Sequence, residues 1–331
     1  MKKNIISEMI KAKAVLAPMS GITDVPFRLI SRKYGCKFAF TEMIDVNGIV
    51  YRNKKSFKML DILPEDRPIG VQLVGQDITK MVDVARLCEE KGFPVIDINA
   101  GCPARKVIKG GKGSALLKEP EKLAKMVGHV VGAVNIPVTV KIRSGWGPSE
   151  MNYLKVARMV EEAGARAICV HPRTREQMYR GGADHNIVKE VKEAVSIPVF
   201  ASGNIFSAQS AMETISLTGC DGVYVARGAL GKPWIFDDIR RVLSGKEERP
   251  DPGFRKLKNI IAEHYLLSLE HYDSALAKSR MYKYITWYLR RYKNIDFVMK
   301  RYGRISPGKE ALRGFLEALS LDGRKLYIKE Q

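Results

Sequence analysis

The chain has 331 residues, of which 45% are hydrophobic and 28% charged, and its formal net charge is +20 at pH 7. This composition is typical of a globular protein and excludes a disordered or fibrous one. No apolar run approaches the roughly 20 residues that cross a bilayer, and the N-terminal segment lacks the features of a secretory signal. We therefore expect no membrane segment. The positive charge indicates a polyanionic partner or an anionic surface.

The five cysteines are scattered along the chain and form no C-x-x-C pair. We therefore expect neither disulfides nor a cysteine zinc site, and we expect the reducing cytoplasm as the location. His129, His264 and His271 lack the spacing of metal ligands, so no metal is expected. The oligomeric state does not follow from the sequence, and we expect a monomer.

Short runs rich in β-branched residues recur about 24–43 residues apart along the first 230 residues. This spacing leaves room for one helix and two loops after each run, which predicts a parallel sheet of βα units. The eight runs are 14–19, 38–43, 69–75, 95–102, 138–145, 167–173, 198–204 and 222–228. Eight units predict a closed (β/α)8 barrel, a TIM barrel. A doubly wound open sheet is the alternative, but no GxGxxG turn follows the first run.

The segments between the runs have helical periodicity. In 151–165, Leu154, Val160 and Ala163 lie on one apolar stripe that Gly164 ends. Residues 78–93 show the same pattern, and 184–199 leads from a helix into the next strand. These segments support alternating strands and helices.

A change of pattern follows residue 244. Residues 245–254 are polar with two prolines and are predicted to form a linker, and 255–331 have only helical spacing. We therefore predict a barrel domain over 1–244 and a small all-helical domain over 255–331. The helical domain holds 17 basic and 8 acidic residues, a net charge of +9, which makes it the favoured surface for a polyanion.

Polar side chains stand at nearly every predicted strand end, where barrels of this type carry their catalytic groups. They are Met19, Glu42, Gln72, Asn99 to Cys102, Lys141, Arg143, His171, Arg173, Asn204 and Arg227, with Met19 the apolar exception. Any one of them is explained equally well by a strand emerging into water. The whole set predicts a ring of hydrogen-bonding groups around one mouth.

The last two strands run into the sequences SGN, 202–204, and ARG, 226–228. Glycine allows backbone N–H groups to approach an anion, and the loops after the seventh and eighth strands hold phosphate in many such barrels. Two ordinary glycine turns without a ligand are the alternative. The segments 110–114 and 228–233 lack the spacing of a Walker A loop.

Cys102 lies at a strand end, before a proline and a loop rich in glycine and lysine. This position is typical of a reactive thiol under a loop, whereas the other four cysteines fit buried apolar positions. The nearby basic residues are Arg105, Lys106, Lys109 and Lys112. They would either favour the thiolate or attract nucleic acid, and the sequence leaves both possibilities open.

Segment 280–304 interleaves eight basic residues with seven aromatic ones. Such mixing suits nucleic acid, because cations meet phosphates and rings stack on bases. The four-residue spacing of Tyr284, Tyr288 and Tyr292 predicts instead that these rings pack inside a helical core. The candidates for nucleic-acid contact are then the basic residues Arg290, Arg291, Lys293, Lys300, Arg301 and Arg304.

A set of motifs in this order resembles the tRNA-dihydrouridine synthases, nearest their bacterial B type. The motifs are APMSGITDVPFR (17–28), GVQLVG (70–75), DINAGCPARKV (97–107), GSALL (113–117), VTVKIRSGW (138–146), VHPRTREQMYRGGAD (170–184) and ALGKPWIF (229–236). They run through the whole predicted barrel. The resemblance implies an FMN-binding TIM barrel with a C-terminal helical tRNA-binding domain, which reduces uridines in tRNA with NADPH or NADH.

The resemblance also implies roles for individual residues. Cys102 would be the general acid that protonates uracil C5 after hydride transfer from reduced FMN to C6. The flavin would be contacted by Pro18, Met19, Ser20, Gln72, Lys141 and His171, and its phosphate by Ser202, Gly203, Asn204, Ala226 and Arg227. The residues expected to contact tRNA are Arg105, Lys106, Arg173, Arg290, Arg291, Lys300 and Arg301.

The chain departs from the family pattern in four places: Ser202-Gly203-Asn204, Ala226-Arg227, His185 and the tail sequence MYKYITWYL. The resemblance does not identify the uridine that is reduced, nor whether ribosomal RNA is a substrate. Two other functions compete: an FMN barrel acting on a small molecule, and an RNA-binding protein without activity. The basic tail disfavours the first, and the presence of Cys102, Lys141 and His171 disfavours the second.

Overall fold

The computed structural model describes residues 4–292 and 295–322. Eight parallel strands close into a barrel in which each strand pairs with its neighbours in sequence and β1 pairs with β8. The strands are β1 (Ala14–Leu16), β2 (Phe38–Asp45), β3 (Ile69–Val74), β4 (Ile96–Ala100), β5 (Val138–Arg143), β6 (Ala167–His171), β7 (Val199–Ser202) and β8 (Gly222–Val225). The closed order confirms the predicted (β/α)8 barrel and excludes the open sheet.

Helices alternate with the strands around the outside of the barrel. They are α1 (Ile5–Ala12), α2 (Val25–Lys33), α3 (Val46–Val50), α4 (Lys54–Lys58), α5 (Ile78–Glu90), α6 (Arg105–Ile108), α7 (Pro120–Ala133), α8 (Tyr153–Glu162), α9 (Asn186–Ala194), α10 (Ala208–Thr218) and α11 (Ile235–Leu243). The helices predicted in 78–93, 151–165 and 184–199 are confirmed as α5, α8 and α9. In the described part of the chain, no helix is both long enough and apolar enough to span a membrane.

The barrel interior is apolar at one end and polar at the other. Alternate strand residues point inward, so Phe38 and Phe40 of β2 pack with Phe200 near the start of the strands, and Tyr224, farther along β8, joins the same cluster. Helix α1 covers this end and adds Met9 to the same cluster. Because the apolar side chains fill one end, polar groups are left to face the other end, where the strands finish.

Four further helices follow the barrel: α12 (Phe254–His271), α13 (Ser274–Leu289), α14 (Ile295–Arg304) and α15 (Lys309–Asp322). They confirm the predicted C-terminal helical region as far as residue 322; residues 323–331 lie outside the described part. The prediction that Tyr284, Tyr288 and Tyr292 pack inward is also confirmed, since all three are buried. Tyr284 belongs to the apolar cluster that contains Phe27 of the barrel, so the two regions share one core.

Candidate active site

A cleft with a cavity of about 440 Å³ opens at the carboxyl ends of the barrel strands. Its size lies in the range of about 300–1,000 Å³ that is usual for cofactor sites. Cys102 and every residue expected to contact flavin line this cavity: Pro18, Met19, Ser20, Gln72, Lys141, His171, Ser202, Gly203, Asn204, Ala226 and Arg227. The structure therefore brings together side chains that lie up to 209 positions apart in the sequence.

The backbone of Cys102 is fixed on both sides. Its N–H donates to Asn99 Oδ1 at 2.9 Å, and its carbonyl accepts from the Ser114 N–H at 3.1 Å and the Ser114 hydroxyl at 2.9 Å. Gly113 lies so close that a Cβ there would stand 2.8 Å from the Cys102 carbonyl oxygen. Since its φ of +61° also favours glycine, this position needs Gly113 for two reasons.

The protonation of Cys102 follows from its surroundings. Burial raises the pKa of the thiol above its ordinary value, and the backbone N–H of Ala104 and the charges of Arg143, Lys141 and Lys106 offset this only in part. The protonated thiol is therefore favoured at neutral pH. The sequence left open whether nearby cations produce a thiolate, and the structure favours the thiol.

The imidazole of His171 is held in its neutral form. Burial lowers the pKa of His171 well below its ordinary value, and Lys141, Arg143, Arg173 and Arg227 lower it further. Its Nδ1 has no hydrogen-bond partner among the described residues. A neutral ring has one donor and one acceptor nitrogen, so His171 can bind the polar edge of a ligand in the cavity.

Arg173 is buried, with 2% of its surface exposed. Its Nη2 donates to Asn204 Oδ1 at 2.8 Å and to the Gly181 carbonyl at 2.7 Å. That Arg173 contacts tRNA stays a prediction; its guanidinium turns inward, where carbonyl and amide oxygens of the loops accept its hydrogen bonds. Its Nη1 is buried and without a partner among the described residues.

Two aromatic residues that the sequence analysis did not assign lie on the cavity wall. Tyr179 is 51% exposed, and its ring centroid is 5.4 Å from the guanidinium of Arg143 and 4.9 Å from that of Arg227. Phe206 is also exposed and packs against Arg227 at 5.3 Å. Phe206 follows the end of β7 closely, and Tyr179 lies within the motif 170–184, which begins at the end of β6. Asn99 and Arg143 also line the cavity. The sequence placed both at strand ends but assigned them no contact with a ligand.

The charge of the cavity suits an anionic cofactor. Lys141, Arg143, Arg173 and Arg227 lie in or beside it, and its described lining contains no carboxylate. The unpartnered Nη1 of Arg173 is a buried donor, and the unpartnered Nδ1 of His171 can donate or accept, so a phosphate or a flavin ring could satisfy both. The residues present therefore fit FMN.

Most of the other residues expected to contact tRNA are exposed, and Arg291 is partly exposed. Arg105 and Lys106 on α6 are exposed beside the Cys102 segment, and Arg290, Lys300 and Arg301 are exposed on the C-terminal helices. Arg291 instead pairs with Asp251 at 2.6 Å and donates to the Pro252 carbonyl at 2.6 Å. Arg291 joins the linker to the helices and is partly exposed, so its contact with tRNA stays a prediction. Lys293 lies outside the described residues.

Comparison with known proteins covers the barrel and most of the C-terminal helices. The sequence model of the family described as dihydrouridine synthase matches residues 15–319. The tRNA-dihydrouridine synthase B of Vibrio vulnificus is 36% identical over 311 residues, which are 93% of this chain and 97% of that protein. The tRNA-dihydrouridine synthase B of Pseudomonas putida is 38% identical over 275 residues, 83% of this chain and 82% of that protein.

Solved structures share the fold at low identity. A 2-naphthoyl-CoA reductase in complex with 2-naphthoyl-CoA has a TM-score of 0.57 and 11% identity, covering 71% of this chain and 50% of that one. Histamine dehydrogenase from Rhizobium sp. 4-9 has a TM-score of 0.55 and 12% identity, covering 77% and 49%. The chain spans about half the length of these two enzymes, and at this identity the likeness shows the fold alone. The family match, in contrast, takes in Cys102 and the whole ring of strand-end residues, and the chain belongs to the dihydrouridine synthase family.

Proposed function

We propose that the protein reduces uridines in tRNA to 5,6-dihydrouridine in the cytoplasm, with FMN as its bound cofactor and NADPH or NADH as the reductant. One observation carries this proposal: Cys102, Lys141 and His171 line a single cavity in a chain of the dihydrouridine synthase family. The described lining of this cavity contains no carboxylate that would repel the phosphate of FMN.

FMN would supply the hydride chemistry, taking a hydride from the nicotinamide and passing it to uracil C6. Lys141 contributes a positive charge to the cavity wall, which stabilises negative charge on a bound flavin. His171 is neutral and offers a donor or an acceptor to the ring edge. The segments 202–204 and 226–227, with Arg173 behind Asn204, would hold the phosphate.

Cys102 would complete the reduction by donating its proton. When C6 of uracil gains a hydride, the electron pair of the 5,6 double bond moves to C5 and forms the new C5–H bond with the thiol proton. The thiolate that remains regains a proton from water. Since burial raises the pKa of Cys102, the thiol is protonated and ready to donate at neutral pH.

The substrate would be RNA because the reacting base must enter a cleft that is bordered by basic residues. Extruding a uridine from its stack costs a few kcal/mol, and contacts between cations and phosphates offset that cost. Arg105 and Lys106 are exposed beside Cys102, and Arg290, Lys300 and Arg301 are exposed on the C-terminal helices. The region 255–331 would accordingly be the main tRNA-binding region.

A direct assay tests the proposed function. The purified protein, loaded with FMN, is incubated with unmodified tRNA transcript and NADPH or NADH, and the digested nucleosides are analysed by mass spectrometry. We expect a nucleoside two hydrogens heavier than uridine from tRNA and none from free uridine. Failure of FMN-loaded protein to modify any tRNA would refute the proposal, whereas reduction of free uridine would favour a small-molecule enzyme. Ribosomal RNA serves as a parallel substrate.

A further inference from the structure

A continuous chain of hydrogen bonds runs through the barrel interior to Cys102. The Thr139 hydroxyl donates to Asp97 Oδ1 at 2.6 Å, and Gln72 Nε2 donates to Asp97 Oδ2 at 2.6 Å. Asn99 Nδ2 then donates to Gln72 Oε1 at 2.8 Å. Finally, Asn99 Oδ1 accepts from the backbone N–H of Cys102 at 2.9 Å. Three adjacent strands, β3, β4 and β5, supply the four side chains.

The chemistry of Asp97 indicates which group donates and which accepts in each of these hydrogen bonds. An ionised carboxylate only accepts hydrogen bonds, so Gln72 must turn its NH₂ group toward Asp97. The carbonyl oxygen of Gln72 then faces Asn99, which must present its own NH₂ group. That leaves the Asn99 carbonyl oxygen to accept from Cys102. The backbone N–H groups of Gly101 and Cys102 set the same orientation from the other end, since both donate to Asn99 Oδ1, at 3.1 and 2.9 Å. Asp97 and these two backbone groups together hold both amides in one orientation.

We propose that Asp97 is a positioning residue for the reaction at Cys102, acting through Gln72 and Asn99. This inference rests on the proposed function. Asp97 anchors the segment that carries the proton donor, and it leaves the second amide hydrogen of Asn99 free to donate within the cavity that Asn99 lines. Asp97 itself is absent from the cavity lining and acts without touching a ligand.

The burial of Asp97 supports a specific role. Its side chain is fully buried and forms no ion pair within the described part of the chain. A buried carboxylate is costly unless it is hydrogen-bonded, and a barrel core is more simply filled with Val, Ile and Leu. Lys141 stabilises the charge through space. A purely structural role is the alternative, since Thr139 and Gln72 satisfy both carboxylate oxygens.

Two variants separate the two roles. Asp97→Asn keeps the shape of the side chain, but its NH₂ group can donate to Gln72 and so reverse the donors and acceptors in the series of hydrogen bonds. Thr139→Val removes one hydrogen bond to the same carboxylate. The donors and acceptors of the hydrogen bonds between Asp97, Gln72 and Asn99 stay as they are. The first readout is the single-turnover rate of dihydrouridine formation by pre-reduced, FMN-loaded protein at saturating tRNA. The second is the rate of Cys102 alkylation by iodoacetamide in FMN-free protein, measured by peptide mass spectrometry.

We expect Asp97→Asn to slow the single turnover by about 10²-fold, the effect of a misplaced catalytic group, with little change in tRNA affinity. It should also change the alkylation rate of Cys102, while Thr139→Val stays near wild type in both readouts. Equal effects of the two variants, or no effect of Asp97→Asn, would overturn the inference. An inactive wild type would refute the proposed function alone, because the alkylation rates still compare the two variants.

A second pair of variants guards against misfolding. If Asp97→Asn does not fold, Gln72→Met breaks the same chain without altering the buried charge and should change the alkylation of Cys102 in the same way. If Asp97→Asn does fold, Gln72→Glu in that background restores an acceptor toward Asn99 and should return the alkylation rate toward wild type. Absence of the expected effect, in whichever of these two variants applies, would leave Asp97 with a structural role only.

Discussion

Asp24 and Arg280 form an ion pair of 2.7 Å that joins the loop after β1 to helix α13. The same carboxylate caps α2 by accepting from the Phe27 N–H at 3.1 Å, and it accepts from the Tyr284 hydroxyl at 3.2 Å. The loop that ends at Asp24 begins with 18–20, which line the cavity. The C-terminal helices therefore help to fix the rim of the candidate active site.

Replacing Asp24 should destabilise the whole protein. Asp24→Ala leaves Arg280 without its partner in a largely buried site, which typically costs about 3–5 kcal/mol. Urea denaturation should show a loss of this order in the free energy of unfolding. The exposed Asp83 offers the matched control, and Asp83→Ala should change stability little. A loss below about 1 kcal/mol for Asp24→Ala, as for a surface ion pair, would contradict this account.

The exposed cations of the C-terminal helices should contribute to tRNA affinity. Replacing Arg290, Lys300 and Arg301 together with alanine should weaken binding. It should also lower the slope of log K against log salt by about 0.7–0.9 for each phosphate that the variant no longer neutralises. Filter binding at several salt concentrations measures both quantities.

The control for this variant changes the same charge at the opposite end of the barrel. Lys11, Lys37 and Lys91 are exposed near the starts of the strands, and their replacement with alanine should leave the salt slope unchanged. Equal slopes for the two triple variants would show that the C-terminal cations do not bind the RNA backbone. Truncation is a poorer test, because it would uncover the shared core.

A methyl group at Gly113 should disturb the proton donor. Gly113→Ala brings a Cβ within 2.8 Å of the Cys102 carbonyl oxygen at a φ of +61°, so the segment must shift. We expect slower dihydrouridine formation with FMN binding retained. Gly132→Ala is the control, since nothing lies within 4 Å of a Cβ there. Wild-type turnover by Gly113→Ala would show that the position of this segment is not critical.

The free energy of unfolding should vary with pH because the carboxyl group of Asp97 ionises. Burial raises the pKa of Asp97 from 3.8 to about 6. Because the folded-state pKa is the higher one, the stability that this group contributes is present below about pH 4 and is lost as pH rises through about 6. Burial raises the pKa of the neighbouring Cys169 and Tyr224, so neither of them titrates in this interval.

Urea unfolding of wild type and Asp97→Asn at several pH values isolates this effect. The stability of wild type relative to the variant should fall between about pH 4 and pH 6 and stay constant above pH 7. A difference that does not vary with pH would show that Asp97 has the same pKa in the folded and unfolded protein.

The sequence was sufficient to predict the barrel because each strand carries its own signal. Asp97 and Asn99 also alternate with Ile96 and Ile98 in β4, and a two-residue period places polar side chains on the inner face. That signal could have identified Asp97, but its hydrogen-bond partner Gln72 lies on another strand. The order of donors and acceptors between Asp97, Gln72 and Asn99 is therefore known only from a structure in which β3 and β4 lie side by side.

The hydrogen-bond and ion-pair partners of the arginines could not be predicted from the sequence. The resemblance to the family led us to expect that Arg173 and Arg291 contact tRNA. The oxygen atoms that an arginine meets depend on the fold, here those of Asn204 for the buried Arg173 and of Asp251 for the partly exposed Arg291. Neither acceptor is adjacent to its arginine in the sequence, so the local pattern could not show these contacts.

The most direct test of the central claim compares Cys102→Ala with wild type, both loaded with FMN. We expect NADPH or NADH to reduce the flavin of the variant at about the wild-type rate, while dihydrouridine formation falls by roughly 10²–10⁴-fold, the usual contribution of a general acid. Cys220→Ala, at a buried cysteine beside the start of β8, should retain activity. Undiminished formation of dihydrouridine by Cys102→Ala would contradict the account.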